Sequence, residues 1–382
     1  MLACRRQQVL QWMSLVFAVG CGSVGCGSVD GQVDALEADD SLAQQAAAPV
    51  GAVTPVVSSI EIPVSVLGTG KATIYARVFE NPTVAQGATI FDVHGLASTG
   101  RVFDRLTQAM YNDPTQAARV KRVITIDMPG HGGSSFPTNL PRGTNFGSLS
   151  LDDNVNVILQ CLDALRAKNM GPQLIVGHSM GALALSVAQQ RLIEKGSSFA
   201  KIGVTYVLLI APVPSHGQPW TQPSSAETQK LVPFVKVDTD KGIYIQLPPE
   251  EWILASFVDK TGKVTPAAPT PAQVVQLGYL APEPIVTLMQ LTESSIPGGP
   301  PKTDRPTVNP GVFADGSGTK LAVVSFSEDG LLLPSDVKAY YEHLTNDKTG
   351  FRFLAVSSPD AVHNMTISNP AHVIEAMKIL FK

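Results

Sequence analysis

Leu174-Ile175-Val176-Gly177-His178-Ser179-Met180-Gly181-Ala182 is the stretch on which the reading of this chain turns. Three apolar residues predict a strand. A Gly-X-Ser-X-Gly turn follows, and then a helix-forming run. The glycines have a steric reason: a serine on so tight a strand-to-helix turn needs a strained backbone. A side chain at 177 or 181 would strike the neighbouring strand or helix. The turn lifts the Ser179 hydroxyl above the end of the sheet. The helix behind it points its positive dipole end at any negative charge that develops there. Ser179 is the candidate nucleophile. The alternative is a tight packing turn with an inert serine.

A serine hydroxyl needs a base to take its proton, and the base needs an acid to orient it. On a strand–turn–helix of this kind the chain order is Ser, acid, His, so both partners are sought after residue 179. Leu321–Phe326 reads as a strand, and Ser327-Glu328-Asp329-Gly330 follows it. Asp329 is the expected acid, with Glu328 as the neighbour able to replace it. Phe351–Val356 reads as the last strand, and the loop after it carries His363, the expected base. His343 and His372 fall inside helical stretches. Two backbone N–H groups should hold the oxyanion. One is that of Met180. The other is that of Leu96, on the loop Val93-His94-Gly95-Leu96 that ends an earlier strand; His94 is expected to brace this loop.

The rest of the chain supplies strands and helices in alternation. Strands are expected at Ile60–Leu67, Ala72–Phe79, Thr89–Val93, Arg122–Ile126, Leu174–Val176, Tyr206–Ile210, Leu321–Phe326 and Phe351–Val356. The first two suggest an antiparallel hairpin across Gly68-Thr69-Gly70. The later ones are unbroken apolar runs, as parallel strands covered on both faces require. Helices fill the gaps at 101–111, 151–168, 180–195, 335–346 and 370–381. Such alternation predicts an α/β fold with a mostly parallel sheet. Residues 212 to 316 break the rhythm with many prolines, two tryptophans and no clear strand alternation. Helical patches near 226–234, 249–258 and 271–291 are expected there, forming a cap or lid. Trp220, Trp252, Phe257 and Leu288 are its candidate substrate contacts. The core is expected at 59–211 and 317–382.

The N-terminus reads differently. Arg5-Arg6, a short apolar run from Val9 to Val19 and the small residues after it resemble a bacterial secretory signal over residues 1–20. The run is too short for a permanent transmembrane helix. Ala18-Val19-Gly20-Cys21 resembles a lipoprotein cleavage box, with Cys21 as the lipid-bearing residue and Ala18 as the departure. Residues 21–58 read as a linker. Export is the expectation, either to the cell envelope, with membrane contact only through that lipid, or as a secreted protein. Of Cys4, Cys21, Cys26 and Cys161, only Cys161 lies in the folded body, at core spacing, so no internal disulfide is expected.

Composition narrows the function classes. The chain has 382 residues, 44% apolar and 16% charged, with a net charge of −4 and no Lys/Arg run, so nucleic acid is not an expected partner. There is no His-Glu-X-X-His, no Cys-X-X-Cys and no Gly-X-Gly-X-X-Gly after a strand, so no metal or cofactor is expected. The oligomeric state stays open.

His94-Gly95, Asp127-Met128-Pro129-Gly130-His131-Gly132-Gly133-Ser134, Gly177-His178-Ser179-Met180-Gly181, Asp329 and His363 together resemble the α/β-hydrolase superfamily over residues 60 to 382. The lidded esterase, lactonase and C–C hydrolase branch is the most similar. The resemblance implies a structural role for Asp127, in shaping the loop after its strand. It also implies acyl transfer from an ester or lactone, a small-molecule substrate, through Ser179. Amidase, peptidase, C–C hydrolase and perhydrolase chemistry on the same residues stay open, as does an inactive surface-binding protein on this scaffold.

Overall fold

The computed structural model describes residues 52–220, 231–293, 303–347 and 352–380. The expected signal segment, Cys21 and most of the expected linker lie outside the described residues. Among the described residues, no helix is long and apolar enough to cross a membrane.

The core is an eight-stranded sheet. Its strands are β1 (Val56–Val66), β2 (Gly70–Glu80), β3 (Ala88–Val93), β4 (Val120–Ile126), β5 (Leu174–His178), β6 (Tyr206–Ile210), β10 (Lys320–Phe326) and β11 (Phe353–Val356). Their order is β1-β2-β4-β3-β5-β6-β10-β11. β2 runs antiparallel to both of its neighbours, and every pairing from β4 to β11 is parallel. The hairpin across Gly68-Thr69-Gly70 is present, with Val66 opposite Gly70. Burial follows from position. The C-terminal half of β1, at the sheet edge, alternates exposed and buried, whereas all five residues of β5 are buried.

Helices flank the sheet: α1 (Asp104–Asn112), α2 (Leu151–Ala167), α3 (Met180–Glu194), α7 (Pro334–Thr345) and α8 (Pro370–Leu380). α1 packs with α8, and α2 with α3. α2 starts where Ser150 and Asp153 form a reciprocal capping box, an arrangement typically worth about 1 kcal/mol. Leu151, Val155, Ile158, Leu162 and Leu165 recur at helical spacing and face inward, with Cys161 among them. Burial pushes the Cys161 thiol up to about 12, so it packs as a small hydrophobe.

The insertion differs in detail from its expectation. It contains α4 (Pro249–Ser256), α5 (Pro271–Gln276) and α6 (Ile285–Thr292). It also contains a three-stranded antiparallel sheet of β7 (Val235–Asp238), β8 (Gly242–Ile245) and β9 (Glu283–Pro284). The expected helix over 271–291 is two helices. Gly278 at φ +62° turns the chain after the first, and the Glu283–Pro284 strand precedes the second. Of the expected patch at 226–234, residues up to 230 lie outside the described ones, and Val232–Phe234 is a single 3-10 turn.

Candidate active site

Ser179 sits between β5 and α3 with φ +54° and ψ −119°. That conformation is rare for a residue with a Cβ and costs about 1–3 kcal/mol. The surroundings enforce it. A Cβ on Gly177 would lie 2.7 Å from the Ala182 Cα, and one on Gly181 would lie 2.5 Å from the carbonyl oxygens of Val93 and His94. The Ser179 N–H donates to the Ile210 carbonyl of β6 at 2.9 Å, tying the turn to the sheet.

Asp329 and His363 come together from the ends of β10 and β11. His363 Nδ1–H donates to Asp329 Oδ2 at 2.9 Å, with both side chains buried. The other oxygen, Oδ1, accepts the amides of Leu331 at 2.8 Å and Leu332 at 3.0 Å. A carboxylate with these acceptor duties fixes the imidazole tautomer and leaves Nε2 as the basic nitrogen. Glu328 instead pairs with Lys260 and takes the Ser327 hydroxyl. His178 Nε2–H donates to the His363 carbonyl at 2.9 Å, and the two rings lie 4.9 Å apart. The residue just before Ser179 therefore grips the backbone of His363. Burial, with His363 adding to it, pushes His178 down to about 3, so it is a neutral clamp. Ser179 is 7% exposed. Where a serine pairs with an imidazole base, that hydrogen bond often tightens only with substrate.

The loop after β3 lies against this turn. A Cβ on Gly95 would be 3.0 Å from the Ser179 Cβ. His94 braces the loop: Nδ1–H donates to the Gly95 carbonyl at 2.8 Å, and Nε2 accepts the Met128 amide at 3.0 Å. Burial and the neighbouring His131 push His94 down to about 3. Asp127 accepts the amides of Gly100 and Gly133, and its carbonyl takes the Ser134 hydroxyl. It is a knot between two loops, remote in role from Asp329.

The insertion touches all three loops. Ser256 at the end of α4 accepts the Asn364 amide at 3.1 Å, next to His363. Val258 and Asp259 pack on Gly330, next to Asp329. Leu280 bridges to Ser98. Trp252 and Phe257 are buried with their rings tilted against each other, Trp252 stacks on Tyr279, and Leu288 is buried in the same core. Trp220 is half-buried; its N–H reaches the Leu331 carbonyl at 3.3 Å and the Arg305 guanidinium lies over its ring. A cleft of about 530 Å³ opens in the insertion, lined by Phe234, Lys236, Val274 and Leu280 among others.

Two features escaped the sequence. Glu283 reaches back to the loop after β3, and His131, assigned only to its motif, pairs with it at 3.2 Å. Neither has a local signal, because the two residues lie 152 positions apart. His216, Glu293 and Asp304 gather their ligand atoms within 4.8 Å. The Arg305 guanidinium lies 3.4 Å from the same Glu293 oxygen that His216 uses, which opposes a cation there.

The chain belongs to the alpha/beta hydrolase family, whose model matches residues 93–348. Solved structures show the same fold. A thermophilic esterase from Thermogutta terrifontis has a TM-score of 0.52 at 14% identity, over 85% of this chain and 98% of that one. The naproxen esterase of Bacillus subtilis has a TM-score of 0.51 at 16% identity, over 86% and 92%. An alpha/beta hydrolase fold protein from Chitinophaga pinensis has a TM-score of 0.52 at 12% identity, over 85% and 97%. At these identities the likeness is one of fold. No curated protein matches the sequence.

Proposed function

We propose that this hydrolase cleaves a carboxylic ester or lactone through an acyl-enzyme on Ser179. The observation that carries the reading is the His363–Asp329 hydrogen bond of 2.9 Å, in a loop gripped by His178, the residue adjoining Ser179. In the first half-reaction His363 Nε2 takes the Ser179 proton as Oγ bonds to the carbonyl carbon. The Leu96 and Met180 N–H groups hold the oxyanion, and His363 returns the proton to the leaving alkoxide. In the second, His363 deprotonates a water that attacks the acyl-enzyme and then protonates Ser179. Residues 212–316 act as a cap. Trp220 faces the substrate, and Trp252, Phe257 and Leu288 shape the cap wall. A fluorophosphonate probe should label the protein, and Ser179→Ala and His363→Ala should each abolish labelling. Labelling that survives Ser179→Ala would overturn the reading. A panel of p-nitrophenyl esters, lactones and anilides then separates ester from amide chemistry.

Export with a lipid on Cys21 belongs to the same reading. Cys21→Ser should move the protein from the membrane fraction to the soluble one. An unchanged distribution would remove the anchor.

A further inference from the structure

Leu96 lies between two peptide planes, and each is held from a different part of the molecule. The Gly95–Leu96 plane carries the Leu96 N–H, and its carbonyl accepts His94 Nδ1–H at 2.8 Å from within the core. The Leu96–Ala97 plane is held by the cap. Its N–H, that of Ala97, donates to Glu283 Oε2 at 2.8 Å. Its carbonyl accepts the Ser98 hydroxyl at 3.1 Å, and Ser98 in turn takes the Trp252 indole N–H at 3.3 Å. The cap backbone adds two further bonds: Ala281 N–H to the Ala97 carbonyl at 3.2 Å and Thr99 N–H to the Tyr279 carbonyl at 3.1 Å. Ala97 itself has φ +50°, a conformation an alanine adopts only when held.

Glu283 is 1% exposed, and its Oε1 has no partner among the described residues. Taking a carboxylate that deep is costly, and one ion pair rarely repays it. The backbone fixes where it sits: Glu283 opposes Ile245 in the cap sheet, and Pro284 follows it. Its Oε2 serves two donors at once, the Ala97 amide and His131 Nε2, while His131 Nδ1 lies 3.0 Å from the Pro129 carbonyl. With an acceptor at each ring nitrogen, His131 is suited to be an imidazolium, which balances the buried carboxylate.

We propose that Glu283 is a positioning residue for the oxyanion hole: through the Ala97 amide it fixes the orientation of Leu96, so that the hole is complete only when the cap is seated. This rests on reading Ser179 as the nucleophile and the Leu96 N–H as an oxyanion donor. A cap residue thereby sets the rate of the chemical step while touching neither substrate nor reacting atoms.

The test separates reach from charge. Glu283→Gln places an amide oxygen where Oε2 accepts and removes the charge. Glu283→Asp keeps the charge and withdraws it by one methylene. Glu283→Leu removes both. Fluorophosphonate labelling also uses the hole, so its rate reports the same geometry as kcat. Glu283→Gln should label within about 3-fold of the wild type. Glu283→Asp and Glu283→Leu should slow at least 10-fold, short of the roughly 10²–10³-fold loss of a whole donor. On an ester that the wild type cleaves, kcat should fall with KM unchanged. If Glu283→Leu does not fold, the Asp and Gln pair decides alone. A wild-type labelling rate in Glu283→Asp would overturn the inference and leave the serine reading intact. So would slow labelling in Gln with normal labelling in Asp, because the pair would then matter only as charge. A wild type that does not label sinks the serine reading, and this inference with it.

Discussion

Asp329 and Glu328 are adjacent carboxylates on one loop, and what separates them is the direction in which the chain leaves β10. Asp329 turns inward, where the Leu331 and Leu332 amides and His363 all meet it; Glu328 turns outward to Lys260. Asp329→Asn keeps the volume and loses the charge that would stabilise an imidazolium. Its amide N–H₂ can also force the wrong imidazole tautomer. If Asp329 is the acid of the proposed mechanism, kcat should fall by about 10³–10⁴ with a folded protein. Glu328→Gln should change kcat by less than about 2-fold, since exposed pairs contribute little. Steady-state kinetics on one ester settles both, and a larger effect from Glu328 would reverse the assignment. The sequence placed both carboxylates at the end of the Leu321–Phe326 strand and named Asp329 as the expected acid; the pair of amides that holds it was not legible.

At the scale of elements, legibility tracked locality. β5, the Ser179 turn and α3 were readable because the steric demands of a tight turn fall on neighbours in sequence. The two glycines show this. Gly181→Ala would drive a Cβ to 2.5 Å from two backbone carbonyls of the β3 end, where nothing flexible can yield. That end is also the start of the candidate oxyanion loop. The variant should lose at least about 2 kcal/mol in chemical denaturation, the range of overpacking in a tight core, and labelling should fall in the folded fraction. A variant of native stability would mean that α3 can shift freely, and the turn would not be a rigid support for Ser179. The cap sheet was less legible for the opposite reason. Phe234-Val235-Lys236-Val237-Asp238 and Gly242-Ile243-Tyr244-Ile245 do alternate around an Asp-Thr-Asp-Lys turn, and Asp238 accepts the amides of Asp240 and Lys241 there. The signal was present and was outweighed by the density of prolines around it. The third strand, Glu283–Pro284, is two residues long and has no period to read; only its pairing with β8 makes it a strand.

For the whole molecule, the buried ionisable groups divide into two sets with opposite pH dependence. His94 and His178 are pushed by burial to about 3. When unfolded they would titrate near 6.5. Between those values the unfolded chain binds more protons. Their contribution is therefore complete above about pH 6.5 and is lost as pH falls toward 3, by up to about 1.4 kcal/mol per pH unit for each imidazole. Asp92 runs the other way. It is buried within β3 with neither oxygen hydrogen-bonded among the described residues, and burial first, then the nearby Asp104, push its carboxyl well above the usual range. Its contribution is complete below about pH 3.9, and it is lost as pH rises through the folded value. His131 behaves like Asp92: burial alone would lower it, but Glu283 and the Pro129 carbonyl outweigh that and hold it up. The two sets leave the fold most stable between acid and alkaline limits, and single substitutions should expose each limb. Asp92→Asn is neutral in both states and sheds the alkaline loss. Its stability relative to the wild type should therefore rise between pH 5 and pH 8, read as the difference in urea midpoints at each pH. The difference should shrink toward pH 4, where the wild-type carboxyl is protonated in the folded chain and about half protonated in the unfolded one. A difference that stays flat across this range would mean that Asp92 does not titrate between the folded and unfolded states.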